Sequence, residues 1–162
     1  MKIRLMVLGL LLILLPATSF AALTTIGTAT YLGNDYNLIW DDDNNGNSVV
    51  WLDYTNAPNT WDNQVAWASG LNGSGVLTCN TPGYTVDWEG SWRLPTAVDG
   101  AYTFGYDGTT MAGYNITSSE MGHLYYEELG NLGRYDTSGS EQSGYGLTET
   151  GDFDNLDALW YW

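Results

Sequence analysis

Residues Leu5 to Leu15 form an almost unbroken apolar run, preceded by Lys2 and Arg4 and closed by Pro16. Ser19 and Ala21 place small residues at −3 and −1 of a cut after Ala21. A positive start, a short apolar core, a break and a small-residue site make up a secretory signal. A spanning helix needs about 20 apolar residues, and this core is well short of that. Residues 1–21 are therefore read as a cleaved signal peptide and residues 22–162 as one domain, with no membrane span expected in the mature chain.

Cleavage removes Lys2 and Arg4, leaving Arg93 and Arg134 against nineteen acidic residues, a formal charge of −17. Such a surface repels phosphate backbones, so nucleic acid is excluded as a partner. Eight Trp, twelve Tyr and 44% hydrophobic residues nevertheless argue for a folded core rather than disorder. Cys79 is the only cysteine, so no intrachain disulfide can form. A buried, inert thiol is the expected state.

Periodicity points to an α+β domain with two short helices, short antiparallel strands and long loops. Thr24 to Trp40 reads as one or two strands, and Val49 to Leu52 as another. In Asn59 to Leu71, Trp61, Val65, Ala68 and Leu71 fall on one helical face, with Asn59 or Thr60 as N-cap. Val76 to Trp88, interrupted by Pro82-Gly83, reads as strand, turn, strand. Thr117 to Glu120 fits a capping box with Thr117 as cap, followed by the apolar stripe Met121, Leu124, Tyr125 and Leu129 and a stop at Gly130. Leu159 to Trp162 looks like the start of a buried strand.

Gly90-Ser91-Trp92-Arg93-Leu94-Pro95-Thr96 resembles the Trp-Arg-Leu-Pro-Thr signature of the Lcl C-terminal domain family, secreted or surface bacterial domains of poorly known function. Val50 to Asp53, Thr60-Trp61 and the helix around Ser119 to Tyr126 occur in the same order in such proteins. The resemblance spans roughly Leu38 to Trp162. It implies a fold similar to C-type lectin-like domains and to the formylglycine-generating enzyme. Family members continue past an aromatic segment like Trp160 to Trp162, so the domain is expected to be incomplete here. The cysteine pair of the related sulfatase-modifying enzymes has no counterpart, and that activity is not carried over.

Three groups of residues carry candidate chemistry. Asp41, Asp43, Asn45 and Gly46 occupy positions 1, 3, 5 and 6 of a calcium loop, with Asp53 just past the twelfth position, where Leu52 stands in place of glutamate. The same residues also suit a solvated turn between two strands. Tyr102, Tyr106 and Tyr114 are candidates for stacking on sugars. His123 could act as a base for Cys79, but no orienting group or oxyanion pocket stands at recognisable spacing. Glu120, Glu127 and Glu128 read as a solvated helix face, and Arg93 as a structural cation pairing with a carboxylate or a ring. The function expected is a secreted, non-catalytic binding or surface module for glycan or extracellular matrix, with calcium as a candidate cofactor. An exported hydrolase with a carboxylate or Cys79–His123 site and a structural protein without a small ligand are the alternatives.

Overall fold

The computed structural model describes residues 23–88 and 91–157. The expected signal peptide, residues 1–21, and the aromatic segment 159–162 lie outside the described residues. Four strands form one antiparallel sheet: β1 (Leu23–Tyr31), β2 (Asn34–Asn44), β3 (Asn47–Leu52) and β4 (Thr78–Asn80), in the order β3-β2-β1-β4. With helix α1 (Trp61–Gly70) and a short second helix after Ser119, the chain is α+β. No helix among the described residues is long and apolar enough to cross a membrane.

Two-residue loops join the first three strands. Tyr31 pairs with Asn34 across Leu32-Gly33, and Asn44 with Asn47 across Asn45-Gly46. All four loop residues have positive φ (50° and 83°, then 54° and 78°), which is the type I′ geometry that matches strand twist. Asn-Gly is the preferred pair for it, and this narrows the expected Asp41–Ser48 turn to two residues. Gly27 serves a different need. A Cβ there would lie 2.0 Å from Asn80 O, so glycine is what lets β4 approach the bulge in β1.

Alternation in β2 divides the core between the two faces of the sheet. On one face Leu38 joins Ile26 and Ala29, covered by Leu77, Val86 and Trp92. On the other, Ile39 meets Leu124, Leu129 and Phe153, with Trp51, Met121 and Leu156 at the margin. Burying one such side chain contributes roughly 1.5–3 kcal/mol. At the far end of the first face Tyr54 stacks on Trp67 of α1 at 5.6 Å and takes Tyr31 and Tyr36 edge-on. Trp67 Nε1 donates to Tyr31 Oη at 3.1 Å.

Several local expectations are corrected. Thr60 caps α1 as anticipated, but the inward face is Gln64, Ala68 and Leu71, while Trp61 and Val65 are exposed. The face is set by Gln64, whose amide bonds Ala57 O and Asn56 Nδ2. Only the first half of 76–88 is a strand, because Pro82-Gly83 turns the chain and lays Val86 on the sheet face instead of beside β4. The second helix is capped by Ser119, not Thr117, through Gly122 N–H to Ser119 Oγ at 2.9 Å. One α turn, α2 (Glu120–Gly122), then widens into a π-helical segment, His123–Glu128. It ends as expected at Gly130, whose φ is 66°. Cys79 lies on β4 and is exposed, not buried.

Candidate functional site

The acidic hairpin places its oxygens against the protein's own donors. Asp41 is fully buried; its carboxylate accepts from Trp51 Nε1 (3.0 Å), Asn44 Nδ2 (2.9 Å) and Asp43 N–H (3.3 Å). Asp43 accepts from Gly46 N–H at 2.8 Å, closing the turn, and Asn45 donates to Ser119 O. Asp53 belongs to a different junction. Its carboxylate accepts from Asp154 N–H (2.9 Å), Asn155 N–H (3.0 Å) and Asn155 Nδ2 (3.2 Å), tying the end of β3 to the segment that delivers Phe153. Among the described residues no group of three or more His, Cys, Asp or Glu side chains is placed to hold a metal ion.

Of the three helix carboxylates only Glu127 is solvated; Glu120 and Glu128 are engaged. Glu120 takes a bidentate pair from Arg93 at 2.6 and 2.7 Å and also Thr96 N–H at 2.7 Å, which fastens the Trp92–Thr96 loop to the start of α2. The Arg93 hydrogen bond is the main reason its carboxyl lies below the usual glutamate range. Arg93 is thus the paired structural cation that its setting suggested. Glu128 has a side chain only 2% exposed, with one oxygen 3.1 Å from His123 Nε2 and the other without a hydrogen-bond partner. Burial, then the nearby Asp41 charge, raise its carboxyl above the usual range. The π register creates this contact, since residues five apart face each other there. His123 is therefore engaged by Glu128, and partial desolvation on β4 raises the thiol of the exposed Cys79 above its ordinary range, so it stays protonated at neutral pH.

The tyrosines give a different picture. Thr103 N–H bonds Ala112 O and Tyr114 N–H bonds Thr103 O, both at 3.0 Å, so the chain crosses itself at a single bridge. Gly113 permits it: its φ is 138°, and a Cβ would sit 1.9 Å from Thr103 O. The crossing brings Tyr102 within 5.6 Å of Tyr114 and 6.0 Å of Phe104. Asn115 Nδ2 donates to Phe104 O (3.0 Å) and Tyr135 O (2.8 Å), adding Tyr135 at 5.6 Å from Phe104 and 5.3 Å from Tyr114. Every contact in this set is edge-to-face, so where one ring meets another's face it covers only part of it.

Much of this cluster is open to solvent. Tyr102 is 54% exposed and Tyr145 46%. Arg134 lies over Tyr135 at 5.4 Å and Tyr145 at 5.8 Å, held by Glu141 at 3.0 Å. Desolvation, then the hydrogen bond with Tyr114, raise the Tyr102 hydroxyl further above its ordinary range, so it remains a donor at any physiological pH. Of the three tyrosines singled out, Tyr102 and Tyr114 meet; Tyr106 is exposed but makes none of these ring contacts. Phe104, Arg134, Tyr135 and Tyr145 escaped sequence reasoning. The i, i+2 spacing of Tyr102 and Phe104 was a usable signal for one face, whereas Tyr135 arrives through an asparagine bridge that no spacing encodes. Compared with family models, curated proteins and solved structures, the chain has no match.

Proposed function

We propose that the chain is an exported, non-catalytic module that binds neutral glycans on the Tyr102–Phe104–Tyr114–Tyr135 surface. The observation that carries this reading is the edge-to-face ring cluster left open around the half-exposed Tyr102. Pyranose rings stack their C–H faces on aromatic faces, while nearby polar groups take the hydroxyls. Arg134 and the Tyr102 hydroxyl supply such groups at the same surface. The formal charge of −15 on the whole chain disfavours sulfated or uronate-rich polymers and leaves uncharged sugars as the fitting class. A protonated Cys79 and a His123 engaged by Glu128 support a non-catalytic role. The Trp92 to Thr96 motif, with its resemblance to the Lcl C-terminal domain family, supports a C-type lectin-like relationship and an extracellular setting. Isothermal titration of the purified chain with neutral oligosaccharides tests the reading: saturable heat is expected, and its loss in Tyr102→Ala locates the site.

A further inference from the structure

A second concave surface lies away from the tyrosine cluster. A cleft of about 570 Å³ opens beside β3, lined among others by Trp40, Ser48, Tyr84, Asp87, Trp88 and Trp92. Trp88 and Trp92 meet with ring centroids 5.6 Å apart and planes inclined by 41°, so neither indole fully covers the other, and Trp88 is 44% exposed. Tyr84 is exposed to the same degree. Asp87 is exposed and makes no hydrogen bond or ion pair within the described residues, so its charge faces the cleft uncompensated. The one cation in the lining, Arg93, is neutralised by its bidentate pair with Glu120.

Electron-rich indole faces beside an unpaired carboxylate attract an organic cation. An ammonium within about 6 Å of a Trp face gains from the ring quadrupole, and methyl groups on the nitrogen lower its desolvation penalty. The excess of negative charge over the whole chain adds in the same direction. We infer that the Trp88–Trp92 cleft is a binding site for a quaternary or methylated ammonium group, with Trp88 as the stacking face and Asp87 as the counter-charge. This site is independent of the glycan reading and uses none of its residues.

Trp40, Trp51, Trp88 and Trp92, half of the eight tryptophans, line the cleft, so intrinsic fluorescence reports its occupancy. The purified chain is titrated with choline chloride, with sodium chloride at equal ionic strength, and with 3,3-dimethylbutan-1-ol, the uncharged isostere of choline. A saturable fluorescence change with choline alone is expected. Asp87→Asn weakens it by about fivefold or more, Trp88→Ala removes it, and Tyr102→Ala leaves it intact. Equal affinity for the uncharged isostere would overturn the inference, as would unchanged choline binding in Asp87→Asn or no saturation up to about 100 mM choline. Both substituted side chains are exposed, and matched circular dichroism spectra identify variants that are folded.

Discussion

Replacing Asp53 by alanine tests how the closing segment of the described chain is held. Asp53 is 2% exposed, and its carboxylate accepts from the backbone N–H groups of Asp154 and Asn155 and from Asn155 Nδ2. Asn155 Nδ2 also reaches Asp53 O at 3.1 Å, and Thr55 Oγ1 donates to Asn155 O. Alanine strips three donors of a charged acceptor at once, in a junction that positions Phe153 and Leu156 against Ile39 and Leu124. Hydrogen bonds to charged groups contribute about 1.5–3 kcal/mol each, but part of the loss is recovered as water reaches the freed amides. A destabilisation of about 3–5 kcal/mol follows, large against a typical total of about 5–15 kcal/mol. With an m-value of about 2 kcal/mol/M, the urea midpoint falls by about 2 M. Asp53→Asn keeps one carbonyl acceptor and is expected to lose about half as much. Amide exchange at Asp154 and Asn155 accelerates in the alanine variant. A midpoint within about 0.3 M of the parent, with both amides still protected, would refute the reasoning.

Three further outcomes follow from individual residues. Leu32 holds φ = 50° at 77% exposure, so Leu32→Asn is expected to raise stability by about 0.5–1 kcal/mol, read as a higher urea midpoint. Glu120 has a carboxyl below its ordinary value of 4.5, chiefly through Arg93, so the pair stabilises the fold above that value and the contribution is lost as pH falls through the depressed folded value. Because Arg93 is half exposed, Arg93→Ala lowers stability by only about 1 kcal/mol at pH 7, and the difference from the parent shrinks in denaturation curves taken at lower pH. Glu128 has the opposite sign: its carboxyl is raised, so its contribution is fully present below the ordinary value of 4.5 and is lost as pH rises through the folded value. Glu128→Gln is therefore expected to flatten the fall in stability as pH rises above 4.5. An unchanged pH profile in this variant would count against a buried ionising carboxylate.

Much of the sheet was legible because its signals are local. Alternation in Ile39 to Asp41 and the Asn45-Gly46 pair identify a hairpin without reference to anything distant. The turn is shorter than the acidic run suggested because Asp41 and Asn44 stay in β2, where Trp51 Nε1 and the Asp41 carboxylate supply the hydrogen bonds that a solvated loop would take from water. Alternate oxygens at calcium-loop spacing serve a strand with buried acceptors equally well. The second helix and the apolar stripe of Met121, Leu124 and Leu129 were found, but its cap was not. A capping box needs its glutamate at the third helical position, and Arg93, 27 residues away, holds Glu120 at the first. Gln64 faces inward through Asn56 and Ala57, eight and seven residues before it, and Glu128 is engaged by His123 five residues before it, spacings that neither the α nor the β period signals. The aromatic surface was half visible, since Tyr102 and Tyr114 meet only where Gly113 allows the chain to cross itself.

The glycan reading is tested most directly by titrating the purified chain and its Tyr102→Ala variant with a length series of neutral oligosaccharides. Saturable binding that tightens with chain length is expected, with affinity about tenfold weaker in the variant and an unchanged melting temperature, since losing one stacked aromatic face removes about 1–1.5 kcal/mol. Failure of every neutral glycan to bind, or equal affinity in Tyr102→Ala, would contradict the assignment of this surface.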